Sequence, residues 1–477
     1  MLALVAAFLG WMFDGMEMGI FPLVARPALQ EMQVAHGIVG EGFVQSWMGI
    51  ITALFLLGAA CGGFVFGWLG DRIGRVKAMT WSILCYSAFT GLCYFAKEPW
   101  HLGALRLLAA LGMGGEWALG VALVMESWPE GRRPMMAGLI GAAANFGYCL
   151  IAVIAIAFPI AKDSWRWVMM VGAAPAVLTF FIRLFVPESE KWKSAVALGV
   201  QREPATGLFK KLVKRFLLAV LGSWVAVSLY QVGVVVFSMG IGGMEVALRV
   251  ALAVSLKKFL MSMASGVLWV LVTPRSVREV FAPGRRKNTL LAIAFASVAL
   301  IATWGIVQWI PLWADQMTGG TRTAVKAWSQ FYQSLGAIVG CYLAAWAGGA
   351  LGRRWTYFFL CVASLGVCQW LFRGFDAVGP GFFCVVFLVG MCTASFYGWL
   401  PLYLPELFPT RVRATGQGVA FNSGRILAAL GAWQSPAVMA FFDKSYPKAG
   451  ETIVLIYLVG MVVIWFAPET KGKPLPE

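Results

Sequence analysis

Asp14, Glu17, Arg106, Glu116, Asn145, Asn422 and Arg425 stand in apolar stretches and have the types and spacing to do chemistry. Asp14 and Glu17 are one helical turn apart, so both project from one face. Two carboxylates in an apolar helix cannot both stay charged cheaply, which suits the pair to binding a proton. The competing reading is that hydroxyls satisfy them or that they pack at the outer interface. Arg106 and Glu116 lie about 15 Å apart along a helix and about 80° around it, so they are not expected to pair. Trp117 lies only about 20° around from Arg106 and shares its face. Arg106 is suited to neutralise Asp14 or Glu17, or to attract an anionic ligand. Alternatively it is a structural ion pair between helices, and Glu116 leans towards a structural role.

Asn422 and Arg425 are again one turn apart. No acid lies within the later apolar stretches to neutralise Arg425, and an unpaired buried cation is costly. An anionic ligand is therefore an attractive partner; capping of carbonyls at a helix break is the alternative. Trp304, Trp309 and Tyr397 are candidates for a surface against an aromatic ring. There are only two histidines, His36 and His101, which argues against multi-histidine metal or haem sites. The nine cysteines fall in apolar runs without metal spacing and read as small hydrophobes. No cofactor and no metal are expected, and no catalytic triad or nucleotide loop suggests an enzyme.

The elements that position these residues follow from composition. Hydrophobic residues make up 60% and charged residues 13%, against roughly 45–50% and ~25% in soluble proteins. Such a chain belongs in a lipid bilayer. With about 20 apolar residues per crossing, spans are expected near 1–24, 44–69, 77–96, 101–125, 135–160 and 167–186. Six more are expected near 288–312, 327–349, 355–372, 380–402, 414–441 and 452–467. Two further apolar stretches, 216–240 and 246–273, lie between the groups, giving about 14 spans. The second of these carries Arg249, Lys257 and Lys258, so a hairpin at the membrane surface is its alternative. With even-numbered loops inside, 23 Lys and Arg face the cytoplasm and 9 the opposite side. The positive-inside rule then places both termini in the cytoplasm, and the +16 charge requires no nucleic acid. Met1 opens almost directly into span 1 without a basic n-region, unlike a secretory signal.

The chain repeats itself. Gly67-Trp-Leu-Gly-Asp71-Arg72-Ile-Gly74-Arg75 is echoed by Ala345-Trp-Ala-Gly-Gly349-Ala350-Leu-Gly352-Arg353, 278 residues on. Glu126-x2-Pro129-x3-Arg133 recurs as Glu406-x2-Pro409-x3-Arg413, at 280. Asn145-Phe-Gly-Tyr148 matches Asn422-Ser-Gly-Arg425 at 277, and Pro187-Glu-Ser189 matches Pro468-Glu-Thr470 at 281. Four ordered matches at nearly one offset mean two parallel six-helix halves, 1–199 and 288–477, around a central insertion, 200–287.

These motifs resemble the major facilitator superfamily, and within it the sugar-porter and aromatic- or carboxylic-acid–proton symporter branches. Asp14-Gly-Met-Glu17 and Gly112-Met-Gly-Gly115-Glu116-Trp117 are similar to stretches of the acid symporters. The sugar-binding amides are mostly absent: the fifth span lacks a Q-L-S motif, and the seventh has only Gln308. The resemblance implies an all-α polytopic membrane protein that moves a small organic anion with protons by alternating access. It is expected to be monomeric, in the inner membrane. A proton-independent sugar or polyol facilitator and a non-transporting solute sensor are the alternatives. Gly67, Asp71, Arg72, Gly74, Arg75, Glu126, Arg133, Glu406 and Arg413 are expected to gate it, with Asp71 capping the eleventh span and Glu126–Arg133 and Glu406–Arg413 as latches.

Overall fold

A computed structural model describes residues 2–35, 41–117, 120–121, 132–160, 164–177, 275–305, 307–319, 324–409, 412–443, 445–473 and 476. The first half comprises α1 (Leu2–Ala35), α2 (Glu41–Ile73), α3 (Arg75–Leu92), α4 (Pro99–Met113), α5 (Arg133–Ala157) and α6 (Trp165–Val171). Residues Ala195–Phe281 form a compact unit of their own, of which α7 (Arg275–Val280) is described. The crossings expected at 216–240 and 246–273 lie outside the described residues. The second half comprises α8 (Arg286–Gly305), α9 (Ile310–Met317), α10 (Val325–Leu351), α11 (Arg353–Gly374), α12 (Pro380–Thr393) and α13 (Phe396–Tyr403). It closes with α14 (Arg413–Phe441), α15 (Tyr446–Ile453) and α16 (Ile456–Val463). The described residues contain no strand, as a chain whose backbone must satisfy itself in lipid requires of an open bundle. Seven described segments are long and apolar enough to cross a membrane: 43–63, 134–157, 286–317, 325–351, 353–374, 380–407 and 446–466.

Two boundaries differ from expectation. The first helix does not stop near 24 but runs through Pro22 and Pro27 to Ala35. Its extension is held from α6: Arg166 donates to both Glu31 oxygens at 2.7 and 2.6 Å, and Trp165 Nε1 donates to Glu31 at 2.5 Å. Buried Leu23, Val24, Ala28 and Leu29 continue the core along it. The seventh span is broken by a tight turn at Val307–Trp309 before α9. Pro311, at the start of α9, has no N–H to carry the helical ladder across the break.

The repeat is visible in backbone and packing. Gly74 and Gly352 hold equivalent positions in the two halves, with φ/ψ of 108°/152° and 95°/167°. That region is essentially closed to residues with a Cβ. The most extensive contacts between halves join α5 to α10 and α2 to α14, which the repeat exchanges with each other. Part of this seam is bare backbone. A Cβ on Gly141 of α5 would overlap the Tyr397 carbonyl of α13, while within the second half one on Gly398 would overlap the Cys341 carbonyl of α10. Cys341 Sγ donates to the Gly141 carbonyl at 3.3 Å and to the Ala394 carbonyl at 3.2 Å. Small residues that let helices approach to backbone contact are the means by which membrane helices associate.

Candidate functional site

α1 enters the site tightly packed, because a Cβ on Gly15 would overlap the Ala144 carbonyl of α5, and one on Gly147 the Met12 carbonyl of α1. This close approach fixes where Asp14 and Glu17 are carried. Both are buried, but they take different partners. Glu17 Oε1 forms an ion pair with Arg106 Nη1 of α4 and accepts from Thr90 Oγ1 of α3 at 2.9 Å. The Arg106 guanidinium lies 4.6 Å from the Phe55 ring centroid and 5.2 Å from that of Phe21, contacts that favour a desolvated cation. Of the two acids open to Arg106, Glu17 is the one it takes.

Asp14 instead lies within the electrostatic reach of Glu116, whose Oε1 stands where a Cβ on Gly10 of α1 would be. Among the described residues, no N–H or O–H donates to Asp14 Oδ1 or to either Glu116 oxygen. The clustered Asp14–Glu17 pair of the sequence is therefore divided, one turn of α1 serving two sites. Arg106 and Glu116 are not partners, as their helical offset required.

In the second half, Arg425 on α14 is 8% exposed. It donates to the Ala59 carbonyl at 3.4 Å and to Asn422 Oδ1 at 3.3 Å, and lies 4.9 Å from the Phe421 ring centroid. No carboxylate of the described residues is within ion-pair distance, but the field of Asp14, from the other half, reaches it. No acid of its own half was expected to pair with Arg425, and the acid whose field reaches it belongs to the facing half. Asn422 stands where a Cβ on Gly63 of α2 would be.

Between the halves lies a cavity lined from both. Its wall is aromatic, with Trp11, Phe55, Tyr148, Trp304, Tyr397 and Phe421. Its polar groups include Asn145, Gln308, Gln333 and Arg425. Gln308 donates to Tyr148 Oη at 3.4 Å, and Asn145 to the Gly141 carbonyl at 3.4 Å. Trp309, expected in the same wall, lines an adjoining cleft with Arg106 and Trp304, and its Nε1 donates to the Trp304 carbonyl at 3.1 Å. Contacts between halves flank the cavity. Trp117 stacks on Phe421 at 4.3 Å and 14°. Elsewhere, at the far end of α1, Arg26 pairs with Asp315 of α9 at 3.2 Å, with Lys326 3.9 Å from the same carboxylate.

The gating residues are described unevenly. Glu126 and the side chains of Gly67, Asp71, Arg72, Arg75 and Arg133 lie outside the described residues. In the second half, Glu406 is held bidentately by Arg353, at 2.9 and 2.6 Å, and by Thr470 Oγ1 at 2.5 Å. Its spacing had suggested Arg413, whose Nε donates to the Pro405 and Phe408 carbonyls. Glu469 caps the start of α11, accepting from the Arg353 and Arg354 N–H groups at 3.0 and 3.1 Å. Thr90, Asp315 and Glu469 were not singled out from the sequence. Thr90 carries no signal in an apolar helix, whereas Asp315 was legible as an acid at a span end.

Similar proteins bear on the fold and the class. A metabolite transport protein of Haemophilus influenzae is 26% identical over 99% of this chain and 97% of its own. A cis,cis-muconate transport protein of Acinetobacter baylyi is 23% identical over 99% and 95%, and the niacin transporter NiaP of that organism 24% over 98% and 93%. The xylose transporter XylE from E. coli superposes with a TM-score of 0.63 at 16% identity, covering 99% of each chain; a further structure describes it as a proton:xylose symporter. Residues 3–432 match the Major Facilitator Superfamily, and with the paired halves and the cavity between them this chain belongs to that family of membrane transporters and is not an enzyme.

Proposed function

We propose that the protein is a proton-coupled symporter of a small, planar organic anion, an aromatic or unsaturated carboxylic acid. The observation that carries this is Arg425. It is a buried guanidinium at the wall of an aromatic-sided cavity, without a carboxylate in ion-pair distance among the described residues. A guanidinium holds a carboxylate bidentately, and the flanking rings suit a conjugated body. Relatives named for muconate and niacin support the same substrate class. Asp14, Glu17, Arg106 and Glu116 stand behind the cavity as the proton-handling and charge-balancing groups, and Asn145 and Asn422 orient the substrate side. The motif residues at the ends of α2 and α10, with Glu126, Arg133, Glu406 on its Arg353 partner, and Arg413, control closure. The basic loops place both termini in the cytoplasm, with the chain a monomer in the inner membrane. The amides Asn145, Gln308 and Gln333 in the same wall support the second reading, a sugar or polyol facilitator.

A thermal-shift panel on purified protein separates the two. cis,cis-Muconate, gentisate or nicotinate should stabilise it, and xylose should not. Arg425→Lys should weaken the best acid sharply and Arg425→Ala further, by about 2–5 kcal/mol, or roughly 30- to 5,000-fold in affinity. An uncharged best ligand, or an acid bound as tightly by Arg425→Lys as by the parent, overturns the anion assignment.

A further inference from the structure

One face of α10 is polar along its first two turns. Lys326, Ser329, Gln330 and Gln333 recur at the spacing i, i+3, i+4, i+7, which gathers them within about 100° of the helix circumference. Lys326, Ser329 and Gln330 are buried. Among the described residues, no partner reaches Ser329 Oγ, Gln330 Oε1 or Gln333 Oε1. Lys326 Nζ stands 3.9 Å from Asp315 Oδ2, too far for a hydrogen bond, and Arg26 holds that same oxygen at 3.2 Å. Unmade hydrogen bonds at buried polar groups oppose folding, so four on one helix face call for a purpose other than stability. The strip has two distinct ends. Lys326 lies at the start of α10, away from Gly352 and beside the Arg26–Asp315 contact of α1 with α9. Gln333 stands in the cavity wall. Between them Gln330 Nε2 donates to the Tyr148 carbonyl at 3.4 Å, and a Cβ on Gly19 of α1 would overlap it. The strip therefore follows the junction of α10 with α1 and α5.

We propose that this strip is the entry path of the substrate's polar groups, and that Lys326 is the first binding site for its carboxylate, ahead of Arg425. The proposal rests on the organic-anion reading for its ligand, and on the basic loops for making this the outer end. Arg26 and Asp315 belong to opposite halves, so their ion pair joins the halves there. When α1 and α9 part, Asp315 and Lys326 stay together on the second half. The ammonium has three donors, and Asp315 is too distant to use them well. An arriving carboxylate takes those donors and competes with Asp315 for the cation. The Ser329 hydroxyl is the next donor along the face. The amide oxygens of Gln330 and Gln333 are acceptors, which suit a hydroxyl carried on the same acid. The carboxylate then passes to the Arg425 guanidinium at the cavity. A cation at the mouth of a narrow cleft also raises the local concentration of anions.

Uptake by cells expressing the full-length chain reads the outer face, and thermal shift on purified protein reads equilibrium binding at the cavity. With gentisate outside, Lys326→Gln should raise the half-saturating concentration by about tenfold, the lower end of what a charge at a cleft mouth does to association. Lys326→Arg should stay near the parent. Equilibrium affinity should be the same in all three proteins, because Arg425 is untouched. Gln330→Met should raise half-saturation for gentisate, whose ring hydroxyls use acceptors, and not for cis,cis-muconate, which has no hydroxyl. If Lys326→Gln does not fold, Asp315→Asn carries the test: without the competing carboxylate, Lys326 should take the acid at a lower concentration. Unchanged half-saturation in Lys326→Gln, a raised value in Asp315→Asn, or a Lys326→Gln defect matched by an equal fall in equilibrium affinity overturns the proposal. Failure of the anion reading looks different, since no acid would then stabilise the purified parent. If only the path is wrong, the acids bind and the variants saturate as the parent does.

Discussion

The two halves share a backbone plan and divide the labour. In the first half, Asp14, Glu17, Arg106 and Glu116 are all buried within the helices. In the second, Arg425 is the matching buried charge of α14, and the dense ionic contacts lie at a helix start, where Arg353, Glu406, Glu469 and Thr470 tie α10, α11 and the C-terminal segment together. A duplicated fold has kept its turn glycines in both copies, but the cluster of Asp14, Glu17, Arg106 and Glu116 belongs to the first, while the second buries Asp315 and Lys326 at one span end and Arg353 at its ion-paired base.

That contrast is broken most directly at Arg106. Arg106→Ala leaves Glu17 buried without its cation, and should destabilise the folded protein by about 3–5 kcal/mol. Adding Glu17→Gln should recover part of the loss. Thermal unfolding in detergent measures both, and a single variant as stable as the parent would mean that the first-half cluster does not carry the charge balance described. Next in size is Glu406→Gln in the second half. Losing charged hydrogen bonds from Arg353 and Thr470 should cost about 1.5–3 kcal/mol, read as a lowered midpoint with no loss of ligand affinity. Gly74→Ala and Gly352→Ala sharpen the shared feature. Each forces a Cβ into a glycine-only conformation for about 1–3 kcal/mol, so similar losses are expected in both halves.

The smallest effect is expected from acid acting on the base. Burial opposes ionisation of Glu469, but N–H groups of Arg353, Arg354, Lys471 and Thr470 outweigh it and hold the carboxyl below the usual carboxylate range. A group depressed by folding contributes stability above its unfolded value and loses it as pH falls through the folded one. The loss should therefore set in as pH falls into the usual carboxylate range, be complete only below the folded value, and be absent in Glu469→Gln. A slope of stability against pH that is the same in parent and variant would remove Glu469 from the clamp.

The repeat offsets placed Gly74 and Gly352 in equivalent turns, because a turn glycine is a local requirement written in the chain. The intramembrane charges were equally legible, since their cost in an apolar helix marks them whatever surrounds them. Their pairing was not. Asp14 and Glu17 share a helix face, but a face is some 100° wide and α3, α4 and α14 all meet it. The rotation that sends one acid to Arg106 and the other to Glu116 depends on the Gly15–Ala144 approach, a long-range contact without a local pattern. Gly10 was likewise indistinguishable from the other glycines until Glu116 was found beside it. α1 runs past the 1–24 expected from apolar length because Asp315 and Arg166 give its later charged turns partners.

The glycine seam between α5 and the second half has a mechanical meaning. Where Gly141 meets the Tyr397 carbonyl, there are no interlocking knobs that must disengage before one helix rolls over the other. Two smooth ridges in contact behave as a bearing: they keep their separation while their tilt changes, and little dispersion energy is surrendered along the way. The same smoothness makes the seam brittle to drift, because the first methyl group added there acts as a wedge, prying apart the surfaces on which the two halves turn.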